Sequence, residues 1–303
     1  MKKNNCPICN CDNVYITKAT APSIGSLRHI CICSNCNHIW RCPLPTIKEI
    51  QDHYRIMEEQ SSKNYDEHNN RRLQRLSNTK AGAHLNKANS ILEIGPGKRG
   101  ILPITPHVKQ YSAIELSEFN KRELLKQSGS VDIKVFNNIT KIDQNFECAV
   151  LISLLEHVIS PNEVVKNMTH KIKQNGSCII GVPKRNLEIF NFEKIFTSHS
   201  INLANIWSDG DHLHSFTEDS MRIILEQNNL QIISIEHIGM DKFLTLLYQQ
   251  NKKINELLQT GCYYSFRKIL SILARATILR AYHIFNKNNR SDYLTVYTAT
   301  IKS

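Results

Sequence analysis

The sequence predicts an α/β protein built on one mostly parallel sheet, with a small cysteine-rich module before it and a helical insertion near its carboxyl end. Short apolar runs bounded by turn residues alternate with helical patterns from residue 90 to 236, as repeated strand-helix units do. The run Ser90-Ile91-Leu92-Glu93-Ile94 ends in a glycine-rich turn, Gly95-Pro96-Gly97-Lys98-Arg99-Gly100, so it reads as a buried strand delivering its carboxyl end to a ligand. Seven of the ten cysteines precede Leu44, and four of them form two C-x-x-C pairs. At 303 residues the chain has room for one full core and an appendage, divided as a metal module over 1–45, a helical linker over 46–86 and the sheet domain over 87–303. Insertions are expected at 184–211 and 240–291.

In the first module, Cys6-Pro7-Ile8-Cys9 and Cys33-Ser34-Asn35-Cys36 flank segments Val14 to Thr17 and Ser26 to Ile32, which have the composition of a hairpin. Four thiolates in two such pairs close a tetrahedron around zinc, the outline of a zinc ribbon. Zinc with four thiolates has no open position, so its role is structural. Cys11, Cys31 and Cys42 are left over, which keeps the ligand set open. Pro43-Leu44-Pro45 then leads into a helical stretch from about Thr46, and residues 66–86 read as a helix with Arg71, Arg72, Arg75 and Lys80 toward water and Leu73, Leu76, Ala83 and Leu85 inward.

At the glycine-rich turn, Gly95 and Gly97 let the backbone approach a ligand with no Cβ between. The three glycines alone fit a dinucleotide site, but Glu93 would repel a pyrophosphate and suits a ligand bearing an ammonium and a sulfonium. Glu93, Gly95 and Gly97 together resemble motif I, acid-x-Gly-x-Gly, of the class I S-adenosylmethionine-dependent methyltransferases. That resemblance implies a Rossmann-like seven-stranded methyltransferase sheet, S-adenosylmethionine as cofactor, and these three residues at it. A four-cysteine ribbon and a Pro-x-Pro segment before the catalytic domain resemble a subset of small-molecule methyltransferases, several of which modify sugars or other metabolites.

Beyond the turn, Pro103 and Pro106 limit Ile101 to His107 to a short element. Gln110 to Glu115 is the second strand, with Glu115 about 20 residues past the first glycine, where a carboxylate accepts hydrogen bonds from a ribose. Ser117 caps a helix through Lys126, and Val131 to Phe136 is the third strand. Asn137 or Asn138 stands where the family puts an acid or amide near the adenine. Phe146 to Ile152 is the fourth strand, and Ser153-Leu154-Leu155-Glu156-His157 after it resembles the family's fourth motif, which implies Ser153 beside the cofactor. Ser160, Pro161 and Glu163 read as a capping box for a helix burying Val164, Val165, Met168 and Ile172. Asn175 to Pro183 supplies a turn and the fifth strand.

The aromatic insertion with Phe190, Phe192, Phe196 and Trp207 reads as a lid over the acceptor. Asp211 to Thr217 resembles the family's histidine pair before a capped helix; helix Glu218 to Gln227, strand Gln231 to Glu236 and an antiparallel last strand, Tyr293 to Ile301, complete the fold. Between Glu256 and Asp292 no acid occurs while six Lys or Arg do, interleaved with Phe266, Ile269, Leu270, Leu273, Ile278, Tyr282 and Phe285. Residues 264–290 would therefore either pack on the protein or a dimer partner, or lie on an anionic membrane.

A formal charge of +11 and a pI near 9.1 admit nucleic acid, an anionic membrane or a phosphorylated substrate as partners. No run of about 18 apolar residues occurs, and Met1 to Asn5 lead into cysteines and not an apolar segment, so the expected location is cytoplasmic, with peripheral contact at the inner membrane face. A hydroxyl acceptor needs a proton acceptor, for which the candidates are His157 and His214; a capping or buried role is the alternative for each. The expected function is methylation of a saccharide or other metabolite. The rivals are a ribosomal RNA guanine-type methyltransferase, a nicotinamide-dependent oxidoreductase and a non-enzymatic zinc-ribbon scaffold.

Overall fold

The computed structural model describes residues 5–60, 72–183, 211–238 and 294–302. The insertions expected at 184–211 and 240–291, the basic stripe at 264–290 included, lie outside them except for Asp211. No helix among the described residues is long and apolar enough to cross a membrane.

Strands β4 (Ser90–Ile94), β5 (Gln110–Ile114), β6 (Asp132–Phe136), β7 (Phe146–Ile152), β8 (Ile172–Pro183), β10 (Leu230–Ile238) and β11 (Leu294–Ile301) form the expected seven-stranded sheet, in the order β10-β11-β8-β7-β4-β5-β6. β6, β5, β4, β7 and β8 are parallel, while β11 runs antiparallel between β8 and β10. The chain builds outward from β4 to β6 and then crosses to β7 on β4's other side. The carboxyl ends of β4 and β7 therefore part company there, and that switch point is where such sheets hold ligands.

Alternation along the strands divides the core in two. Leu92, Leu151 and Ile180 face helices α4 (Pro161–Thr169) and α5 (Glu218–Gln227). Ile91, Val150 and Ile179 face Leu73, Leu76 and helix α2 (Lys80–Leu85), with Leu124 of helix α3 (Glu118–Leu125).

Three local expectations change. The helix drawn over 66–86 is broken: residues 72–77 are helical, and Asn78-Thr79 intervene before α2. Side chains at the break bond nearby backbone, Ser77 Oγ to Gln74 O at 2.7 Å and Thr79 Oγ1 from Gly82 N at 3.1 Å, in competition with helix continuation. Ala83 consequently faces solvent, and Arg72 turns inward. Ser160 does stand at the N-cap of α4, but its hydroxyl makes no cap bond; its ψ is 79°, against 121° to 173° at the caps that do, Thr79, Ser117 and Thr217. Ile172 belongs to β8, not to the preceding helix.

The amino-terminal module forms the expected hairpin, β1 (Val14–Ser23) with β2 (Ser26–Cys33), and adds β3 (Ile39–Cys42). Strand β9 (His214–Ser215), from the far side of the chain, pairs with β3, so Trp40 lies opposite His214 and Ile39 opposite Ser215. Cys6, Ile8 and Trp40 join the same core as α4 and α5. The module is therefore part of the sheet's packing. Helix α1 (Ile47–Gln60) follows it.

Candidate active site

The turn after β4 is shaped by what its glycines must avoid. Gly95, Gly97 and Gly100 all have positive φ, from 53° to 70°. A Cβ on Gly100 would come within 2.4 Å of Glu93 Oε2 and of the Tyr111 hydroxyl, and one on Gly95 within 3.0 Å of Leu154. At Gly97 a Cβ would meet nothing within 4 Å, so its backbone borders open space. That space is where a ligand can touch the chain.

Glu115 borders the same space and is held rigidly. Its Oε2 accepts from Gly97 N at 3.0 Å, and its Oε1 accepts from Leu116 N and Ser117 N, both at 2.9 Å. Glu93 is 3 % exposed and lies beneath the turn, where its Oε2 accepts from the Tyr111 hydroxyl and from Ile101 N at 2.9 Å. Burial raises its carboxyl to about 7, against the pull of these two donors and of Arg72. Glu93 thus braces the glycine turn and sets its potential from below.

Ser153 follows β7 with φ 52°, and its Oγ accepts from Arg72 Nη1 at 2.9 Å. The sequence placed Arg72 on a solvated face, because a break in the helix at 78–79 is invisible to a periodicity count; the structure brings it to the rim of the crevice. The two asparagines are used locally. Asn138 Oδ1 accepts from Thr140 N at 3.0 Å as a cap, and Asn137 Oδ1 accepts from Lys121 Nζ, both at the exposed end of β6.

Across the switch point, Leu155–His157 form one 3-10 turn that presents Glu156 and His157 at the sheet's edge. Asp211 and His212 meet them. His157 Nδ1 lies 3.2 Å from the Asp211 carbonyl oxygen and 3.6 Å from its Oδ2, and its Nε2 lies 3.9 Å from Glu156 Oε1. The His157 and His212 rings are 4.6 Å apart and nearly perpendicular. Tyr54 of α1 closes the group, its phenol pushed up by desolvation first and then by the charges of Asp211 and Glu156. Neither Glu156 nor His212 was singled out as a site residue in the sequence, although each belongs to a motif that was, the fourth motif for Glu156 and the histidine pair for His212.

His214 is placed elsewhere. It is 1 % exposed, its Nδ1 lies 3.0 Å from His38 Nε2, and burial lowers its pKa to about 4. On β9 and packed on the rings of His38 and Phe216, this side chain joins the two parts of the chain, and its burial disfavours the role of a base at an open site.

The two cysteine pairs converge. One ligand atom from each of Cys6, Cys9, Cys33 and Cys36 lies within 4.8 Å of the others, with Sγ–Sγ distances of 3.6 Å for Cys6–Cys36 and 3.5 Å for Cys9–Cys33. A tetrahedron with Zn–S bonds of about 2.3 Å has edges of about 3.8 Å, so the set fits zinc. The pairs are built alike: Asn10 N donates to Cys6 O and Asn37 N to Cys33 O at 3.0 and 3.1 Å, and both asparagines have positive φ. Amides at Ile8 and Asn35 point to Cys6 and Cys33 sulfurs. Of the cysteines left over, Cys31 and Cys42 are joined to each other as a disulfide, which removes them from the ligand set.

The sequence profile of a family described as a methyltransferase domain matches residues 65–235, more than half of the chain. No curated protein matches. Among solved structures, the N-methyltransferase NodS of Bradyrhizobium japonicum WM9 with S-adenosyl-L-homocysteine aligns with a TM-score of 0.44 and 11 % identity, over 78 % of this chain and 87 % of that one. An S-adenosylmethionine-dependent methyltransferase from Clostridium acetobutylicum ATCC 824 aligns with a TM-score of 0.46 and 10 % identity, over 84 % and 99 %. Magnesium protoporphyrin IX methyltransferase (ChlM) of Synechocystis PCC 6803 gives 0.43 and 10 %, over 86 % and 89 %.

Proposed function

We propose, from the premise that this chain belongs to the methyltransferase-domain family, that it is an S-adenosylmethionine-dependent enzyme methylating a hydroxyl of a small molecule such as a saccharide. The observation that carries the cofactor half is the Glu115 carboxylate, fixed by three backbone amides beside the open face of Gly97. With Oε1 accepting two amides and Oε2 one, Oε2 keeps a lone pair for a ribose hydroxyl, which donates to a carboxylate so held with little loss of freedom. Glu93 under the turn, ionised more readily when a cation sits above it, supplies negative potential to the cofactor's cationic end, Ser153 and Arg72 line the crevice on the β7 side, and Asn137 and Asn138 stand at its adenine end.

Methyl transfer is a displacement in line with the bond from sulfur to carbon, so the protein's work is to orient an acceptor lone pair and exclude water. His157 is the side chain that handles the acceptor oxygen, since it is partly exposed at the edge and is turned by Asp211. Structural zinc in Cys6, Cys9, Cys33 and Cys36 holds β2 and β3, and through β9 the Asp211–His214 segment. Residues 264–290 would serve to pack on the domain or a partner copy or, as the alternative, to contact an anionic membrane surface.

Calorimetric titration with S-adenosylmethionine, S-adenosylhomocysteine and NADH tests the reading. The first two are expected to bind and NADH not, with Glu115→Ala weakening them at least tenfold, about 1.4 kcal/mol. His157→Ala should keep cofactor binding and lose turnover by about 100-fold or more. Binding of NADH alone would overturn the cofactor, and methylation confined to RNA would overturn the acceptor class.

A further inference from the structure

We propose that Glu156, His157 and His212 hold a divalent cation at the acceptor side of the crevice, distinct from the zinc of the cysteine cluster. One ligand atom from each lies within 4.8 Å of the others. The geometry of His157 says more than proximity. Its Nδ1 faces the Asp211 carbonyl oxygen at 3.2 Å, an atom that can only accept, which turns Nε2 toward Glu156 Oε1 at 3.9 Å. Two ligands on one cation at about 2.1 Å are separated by about 3 to 4.2 Å depending on their angle, so an ion fits between these two atoms.

The surroundings agree. A ligating histidine usually donates its other ring N–H to a carbonyl or carboxylate, and here the Asp211 carbonyl and Oδ2 occupy that place. Glu156 is 1 % exposed, and a buried carboxylate is stabilised by a cation that it ligates. Two imidazoles and a carboxylate suit a first-row divalent ion of intermediate softness, whereas the four thiolates of the ribbon select zinc. Three protein ligands leave positions open for oxygen.

This deepens the methyltransferase reading and rests on it for its chemistry, with His157 acting on the acceptor oxygen through the ion and not as its proton acceptor. An acceptor hydroxyl coordinated to the ion is acidified and gives its proton to solvent water. Its oxygen then attacks the sulfonium methyl: an O–H and an S–C bond break, an O–C bond forms, S-adenosylhomocysteine leaves, and the ion is unchanged. Acceptors with oxygens placed to bind a cation, such as vicinal diols, fit such a site.

The test uses the full chain purified with one zinc per protein by elemental analysis, titrated with manganese(II) chloride while free ion is followed by electron paramagnetic resonance. One manganese ion is expected to bind, with affinity reduced at least tenfold in His212→Ala and in Glu156→Gln while the zinc content stays at one. His212 is only half-buried, so its variant carries the result if Glu156→Gln does not fold. Absence of manganese binding, or equal binding by the wild type and His212→Ala, would overturn the proposal. S-adenosylmethionine titrated into the same sample separates the two readings: cofactor binding without manganese binding sinks the cation site alone.

Discussion

Glu93 shows how one residue serves the turn and the ligand at once. Its place on β4, paired with Ala113 and Val150, puts the carboxyl on the face toward Tyr111, where Gly100 leaves room for it. Burial raises its pKa from the ordinary 4.5 to about 7, so the folded protein holds a proton that the unfolded chain has released between those values. The stability from that proton is present below about 4.5 and is lost as pH rises through about 7. Over that interval the loss reaches at most between about 3 and 4 kcal/mol, at about 1.4 kcal/mol per pH unit. Denaturant unfolding of the ligand-free protein at pH 5 and pH 8 should therefore show Glu93→Gln gaining on the wild type as pH rises. A constant difference would mean that the carboxyl titrates normally.

At the scale of elements, the pairing of β3 with β9 fixes the acceptor side. Arg41, fully buried, donates from Nε to His212 O at 2.8 Å and from its backbone N to Leu213 O at 2.9 Å. Leu213 N in turn donates to Glu156 O at 2.7 Å, and Thr217 Oγ1 donates to Cys36 O at 2.9 Å. The segment bearing Asp211 and His212 is thus strung between the ribbon and the turn bearing Glu156. Arg41→Met removes the charged bond to His212, which costs about 1.5–3 kcal/mol of stability. Kinetics should show the acceptor KM raised severalfold while the affinity for S-adenosylmethionine, whose proposed site at Gly97 and Glu115 lies across the switch point, stays within twofold. Equal weakening of both would show that Arg41 supports the whole domain and not this segment.

For the whole molecule, the ribbon and the sheet share one core, so zinc removal should propagate. Four crowded sulfurs without a cation cannot all ionise: Cys6 is pulled down to about 5 by its hydrogen bond with Cys36, while Cys36 is pushed well up by the same bond and by burial, and burial raises Cys33 to about 11. A strong chelator is expected to lower the melting temperature of the full chain in a single transition and to release S-adenosylmethionine with it; a retained high-temperature transition with cofactor bound would make the ribbon an independent appendage. By itself the sequence determined the chain order of the seven sheet strands, the glycine turn with Glu93 and Glu115, and the paired cysteines. All of these rest on local spacing: apolar period, turn residues, and ligands a few residues apart. It did not determine that Arg72 turns inward, that His214 is sealed against His38, or that Glu156 and His212 flank His157. Those outcomes depend on residues 55 to 176 positions apart meeting in space, and only the packing of β3 on β9 and the break at 78–79 decided them.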